Sequence, residues 1–123
     1  MSRSSEQEMI RIKRVYERAD AKDGYRVLID RLWPRGMKKE AVKIDLWMKD
    51  VAPSDELRKS FHHDAMEWSD FEKKYRGELK KKTELMAELR KKEKEHGTLT
   101  LLFGARDQEH NQAFVLAEAL RKK

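Results

Sequence analysis

A chain of 123 residues with 42% charged and 38% hydrophobic side chains is expected to form one compact domain, too short for two large cores. Its 29 Lys and Arg against 23 Asp and Glu leave a net charge of +6, which favours anionic partners such as phosphorylated metabolites, nucleic acid or an acidic surface. The absence of cysteine excludes disulfides, zinc–thiolate sites and thiol catalysis; with no apolar leader in MSRSSEQEM and no apolar run near membrane-spanning length, the sequence predicts a cytoplasmic protein.

Residues 1–8 read as a disordered tail, and residues 9–123 as a single α/β domain. Met9 to Val15 (MIRIKRV) alternates apolar and basic residues, which predicts a strand. YERADAKDGY carries an Asp-Gly turn signal. Arg26 to Leu32 (RVLIDRL) is a nearly continuous apolar run, the pattern of a strand covered on both faces. Pro34 then stops the ladder, and Gly36 permits an unusual backbone angle. IDLWMKDV, Ile44 to Val51, reads as a short helix with Asp45 near its start. A second helix begins at Pro53-Ser54: Ser54 is a good N-cap, and Asp55 and Glu56 suit the positive helix end.

Asp64 and Glu67 have capping-box spacing before a longer helix. Trp68, Phe71, Tyr75 and Leu79 form one apolar stripe, continued by Leu85, Met86 and Leu89. A single helix from Ala65 to Glu95 would be roughly 46 Å long at about 1.5 Å per residue, too long for a small domain. A break is therefore expected between Gly77 and Thr83, with Thr83 capping the second piece and Gly97 ending it. Thr98 to Phe103 (TLTLLF) is the clearest strand. After a turn at GARD, Gln108 to Leu120 reads as the last helix, with Ala113, Phe114, Ala117 and Leu120 inward. The expected fold is a small, mostly parallel sheet flanked by helices, in a three-layer α/β/α-like arrangement. The link after the first strand is short for a parallel crossover, so a hairpin is a second option there.

Parallel strands put their carboxyl ends on one edge, where open α/β sheets bind ligands. DRLWPRG follows the second strand; GARD, then His110 and Asn111, follow the last. If the first strand runs the same way, Lys13, Arg14 and Tyr16 join them. Arg31, Arg35 and Arg106 offer planar donor forks that match phosphate or carboxylate, and backbone N–H groups at the last helix start point the same way. Asp30 and Asp107 either orient these arginines or move protons; Asp107 is equally read as a helix cap. His110 is a further candidate for proton transfer. Each has a plainer reading: Trp33 as core packing rather than a stacking platform, Asp30–Arg31 as a structural ion pair, Arg35 as a solvated turn residue. Adjacent His62 and His63 point to different helix faces, so no metal site is expected. No phosphate-cradling or nucleophile-elbow motif occurs, and no cofactor is implied.

KRVY, DGYRVLIDRLWPRG, WMKDVAPSDEL, FEKKYRGEL and TLLFGARDQEHNQAFVL, taken in order, resemble the YeaO-like family, small bacterial and archaeal proteins carrying a domain of unknown function. The resemblance covers roughly residues 10 to 121. It implies an α/β fold with a parallel sheet and a motif comprising Arg14, Asp30, Arg31, Trp33, Pro34, Arg35, Gly36, Arg106, Asp107 and Asn111; it implies no activity. One departure is Gly104, where an alanine or similar residue is expected before ARD.

Two functions from different classes follow. In one, an enzyme or binding protein takes a small phosphate- or carboxylate-bearing ligand: Arg14, Tyr16, Arg31, Trp33, Arg35, Arg106 and Asn111 bind it, and Asp30, Asp107 or His110 supplies any proton transfer. In the other, a non-catalytic module binds nucleic acid through lysine-rich helices and stacking on Trp33 and Tyr16. The small ligand is favoured, because the unusual residues sit at strand ends while the surplus charge sits on helices. Neither reading specifies an oligomeric state.

Overall fold

The structure, a computed structural model, describes residues 9–63, 66–106 and 110–122, without the side chains of His62 and His63. The tail at residues 1–8, Asp64 with its capping-box spacing, and Asp107 lie outside the described residues. Four strands, β1 (Met9–Arg14), β2 (Tyr25–Leu28), β3 (Leu46–Trp47) and β4 (Thr98–Phe103), form an all-parallel sheet in the order β1-β4-β2-β3. One row crosses the whole sheet in register: Ile12, Leu101, Val27 and Leu46. Four helices follow the strands in part: α1 (Asp55–His63), α2 (Trp68–Lys80), α3 (Thr83–His96) and α4 (Gln112–Lys122).

The alternation of side chains along parallel strands sorts the sheet into two unlike faces. Val27, Ile29, Leu99, Leu101 and Phe103 share one core with the inward stripes of all four helices, including Leu57, Phe71, Tyr75, Leu89 and Leu116. Leu28 and Leu102 point the other way and pack with Val15 and Val42, flanked by Trp33, Met37, Ile44 and Trp47. The layer on that second face is thus irregular chain and turns rather than helix. This refines the three-layer expectation: among the described residues, the α-helices flank one side of the sheet.

The first connection is parallel, and the hairpin option falls. Residues 15–24 cross β4 on the loop face and enter β2 from the amino edge. Ten residues reach about 33 Å when extended, enough to retrace a strand of roughly 20 Å without a helix. A 3-10 turn at Ala21–Asp23 and Gly24 complete the crossing. Gly24 has φ +65°, and a Cβ there would lie 2.3 Å from the Thr98 carbonyl oxygen, so only glycine fits. The free edge of β1 is blunted by charge: Arg121 Nη2 donates to the Ile10 carbonyl (2.8 Å) and the Arg14 N–H donates to Glu17 (2.9 Å).

Several boundaries moved. IDLWMKDV is not a helix but β3 followed by a 3-10 turn at Lys49–Val51. The Asp45 side chain accepts from the Arg26 N–H (2.8 Å), and Asp45 N–H donates to Arg26 O (2.8 Å), so pairing with β2 overrides local propensity. The expected break in the long helix is present at Lys81–Lys82, but Thr83 is the first helical residue rather than the cap. Gly97 ends α3 with φ +82° and donates to Glu93 O (2.8 Å). The last described helix starts at Gln112, capped by Asn111, whose Oδ1 accepts from Phe114 N–H (3.1 Å). Phe114 is exposed; Val115 and Leu116 are buried instead.

Candidate functional site

β4 leaves the sheet toward α4 on the helical face, whereas β2 leaves into the DRLWPRG loop, which packs on the other face. Adjacent strands whose exits diverge leave a crevice at their carboxyl ends, the usual ligand position in open parallel sheets. A cavity of about 220 Å³ opens there, lined by Asp30, Arg31, Leu32, Ala52, Pro53, Arg58, Phe61, Phe71, Ala105, His110, Asn111 and Gln112.

Asp30 stands at the junction. Its Oδ2 accepts from the Gly104 N–H (2.8 Å), and its Oδ1 accepts from Gln112 Nε2. It therefore ties the end of β2 to the end of β4 and to the first residue of α4. Burial pushes its carboxyl up to about 6, although both hydrogen bonds pull the other way. Gly104 has a structural reason at this point: a Cβ would lie 3.0 Å from Asp30 Oδ2, a close approach.

Two arginines face the same cavity. Arg31 Nη2 donates to Pro53 O (3.4 Å), and its Nε lies 3.7 Å from Asp55 Oδ1, too far for a hydrogen bond. Arg58, one turn into α1, donates from Nη2 to the same Asp55 oxygen (3.4 Å). The Nε atoms of both arginines are buried and have no hydrogen-bond acceptor among the described residues. Buried donors without acceptors are unusual and costly. The opposite wall is aromatic: Phe61 and Phe71 lie 4.5 Å apart, Phe71 packs on Trp68 (5.4 Å), and Trp68 meets the His110 ring (5.1 Å).

The third wall, Ala52 and Pro53, is anchored from behind. Tyr75 Oη donates to Val51 O (2.6 Å), and Lys82 Nζ donates to Asp50 O (2.7 Å) and Ala52 O (3.0 Å). Burial lowers the Lys82 pKa, and burial with the charges of Glu78 and Asp30 raises that of Tyr75. Ser54 caps α1 as its sequence position suggests: its Oγ accepts from Leu57 N–H (3.1 Å) and donates to Glu78 Oε2 (2.6 Å), while Ser54 N–H donates to Glu78 Oε1 (2.9 Å). Ser54→Ala is expected to lower stability by about 1–2 kcal/mol, through loss of the cap and of one Glu78 bond, measurable by urea unfolding.

Of the ten side chains singled out from sequence, the cavity brings together Asp30, Arg31, His110 and Asn111. Arg14 lies behind it: Nε donates to Ala105 O (2.9 Å), Nη2 to Gly104 O (3.3 Å), and the guanidinium sits 5.0 Å from the Tyr16 ring centre. Arg14 thus braces the loop that carries one wall. Tyr16 and Trp33 belong to the loop face. Tyr16 Oη donates to Arg35 O (3.1 Å); Trp33 Nε1 donates to Met37 O (2.7 Å), and its ring meets Trp47 edge-on at 5.4 Å. Arg35 and Arg106 are exposed and do not line this cavity. Arg58 and Gln112 were not singled out; Arg58 looked like one charge among many on α1, and only its spacing from Asp55 marked it.

Among the described residues, no cluster of three or more His, Asp or Glu is arranged to hold a metal ion, and no helix is long and apolar enough to cross a membrane.

Comparison with known proteins agrees with the resemblance seen in the motifs. The chain is 44% identical over 115 residues to the uncharacterised protein YeaO of Escherichia coli (strain K12), covering 91% of this chain and 96% of that one. It is 48% identical over 82 residues to an uncharacterised protein of Mycobacterium tuberculosis (strain H37Rv) and to one of Mycobacterium bovis, covering 67% of this chain and 69% of each. No solved structure matches. A family model described as the inactive DUF488-N3 subclade matches residues 9–123, and the chain belongs to that family.

Proposed function

We propose that the protein binds a small anionic ligand, without turning it over, in the cavity at the carboxyl edge of its sheet. The observation that carries this reading is that Arg31 and Arg58 both line one cavity and each keeps a buried Nε–H donor without an acceptor among the described residues. An anion supplies acceptors of the right charge to both. The rest of the lining is mostly apolar, with a few convergent polar groups, as small-molecule sites are.

Binding is favoured over catalysis for two reasons. Both Asp30 oxygens already accept hydrogen bonds from the protein, which suits a structural and electrostatic role. The family's own description as inactive points the same way. The test is a thermal-shift and calorimetric screen of small inorganic and organic anions at low salt. At least one is expected to bind the wild type and to bind Arg31→Ala and Arg58→Ala about ten- to a hundredfold more weakly. Unchanged affinity in both variants, or no anion bound at millimolar concentration, overturns the reading.

A further inference from the structure

The ligand's chemical class follows from the cavity's shape, its walls and its charge count, and this step rests on the anion reading just given. A cavity of about 150 Å³ holds benzene; the 220 Å³ here leaves room for one ring and one small polar group. The Phe61 and Phe71 rings, 4.5 Å apart and inclined by 30°, provide an aromatic wall that favours an offset or edge-on aromatic guest. Leu32, Pro53 and Ala105 add apolar surface.

The charges are few. Arg31 and Arg58 carry two positive charges, and Asp55 already answers one of them. Its side chain is 62% exposed and touches the arginines only at 3.7 and 3.4 Å, so it is a weak, solvated partner that leaves both Nε–H groups without a hydrogen bond. With Asp30 protonated, one further negative charge balances the pair; with Asp30 ionised, the pair is already balanced. A di- or trianion would meet Asp55 and Asp30 without enough cations to offset it.

We propose that the cavity takes a small aromatic monocarboxylate, its ring against Phe61 and Phe71 and its carboxylate on the guanidinium groups of Arg31 and Arg58. Asp55, ion-paired to both arginines, is an internal competitor with that carboxylate for them. Asp30 tunes the site: when protonated it no longer repels the ligand and has a proton to donate. The titratable groups around it are Arg31 on its own loop, Arg58 from α1, Tyr75 from α2 and His110 before α4. The two arginines stay charged, so carboxylate affinity is set to fall as Asp30 ionises.

The experiment is isothermal titration of the full chain with benzoate, benzamide and inorganic phosphate, at about pH 5.5 and about pH 7.5, on either side of the Asp30 carboxyl. Benzoate is expected to bind more tightly at the lower pH. Benzamide, with the ring but no charge, and phosphate, with charge but no ring, should each bind at least tenfold more weakly. Arg58→Ala should weaken benzoate at least tenfold; Arg58→Lys, which keeps the charge and packing, should fall between. Asp55→Asn should tighten it severalfold. If phosphate binds through Arg58 and benzoate binds no better, the aromatic monocarboxylate is wrong while the anion reading stands. If benzoate and benzamide bind equally, or nothing binds, both fall. Weaker benzoate binding in Asp55→Asn would overturn the charge count, because Asp55 would then be positioning the arginines rather than competing with the ligand.

Discussion

Asp23→Ala is expected to destabilise the fold by about 3–5 kcal/mol, the cost of breaking a buried ion-pair cluster by removing one partner. Asp23 is fully buried on the loop face, where it meets Lys13 Nζ at 3.1 Å, Arg26, and Arg11 at 3.5 Å. Its carboxylate also accepts from the Asp20 N–H (3.0 Å), closing a capping box with Asp20, and its carbonyl accepts from Thr100 Oγ1 (2.6 Å). One residue thus ties three strands together beneath the short first crossover, β1 and β2 through its side chain and β4 through its carbonyl. Removing it leaves the nearly buried Lys13 and Arg26 charges facing each other without an anion. Asp23→Asn keeps the shape and one acceptor, so a smaller loss is expected. For a domain of this size the alanine variant should melt about 10–20 °C lower. Chemical unfolding that gave a loss below about 1 kcal/mol would mean that water reaches the cluster and screens it.

That cluster also explains what the sequence made legible and what it hid. β4 was readable because TLTLLF is apolar on both faces, and α2 because Phe71, Tyr75 and Leu79 repeat at helical spacing. The parallel course of β1 was not, since no local signal says that a ten-residue link suffices when it crosses as extended chain instead of helix. IDLWMKDV misled for a related reason: a two-residue edge strand has no period to detect, and its identity comes from pairing with Val27 and Leu28. The one-sided helical cover could not be read either, because Arg11, Lys13 and Arg26 on the loop face resemble solvated positions until Asp23 is placed among them.

The candidate site was half visible. Strand-end logic pointed to Asp30, Arg31, His110 and Asn111, and the cavity holds all four. It did not separate Arg35 and Arg106 from Arg31, because three arginines in turns look alike in sequence. The difference is where each loop goes next: DRLWPRG folds onto the second face after Arg31, which sends Trp33 toward Trp47 and leaves Arg35 in solvent. Arg58 enters from a helix whose pattern marks only its buried face. A functional side chain at the rim of an amphipathic stripe gives no periodic signal of its own.

Asp30 gives the protein an uncommon pH dependence, and Asp30→Asn is expected to remove it. Burial raises the folded-state carboxyl to about 6 from an ordinary value of 3.8. Between those values the folded state holds a proton that the unfolded chain releases. The Asp30 contribution is therefore fully present below about pH 4 and is lost as pH rises through about 6, a change on the order of 2–3 kcal/mol. Asp23 has the opposite sign. Burial opposes its charge, but the backbone bond from Asp20 and the cations Lys13 and Arg26 hold its carboxyl below the usual value. Its contribution is present above about pH 4 and fades below it. The two contributions therefore coexist near pH 4, and Asp30 alone of the pair sets the loss from there to about pH 6. In urea titrations across about pH 4 to 8, wild type should weaken through pH 6 while Asp30→Asn stays nearly level. Asparagine can still accept from the Gly104 N–H, so the variant should fold with the β2–β4 junction intact. A wild-type curve as flat as the variant's would show that Asp30 ionises without penalty, and that the cavity it faces is wet.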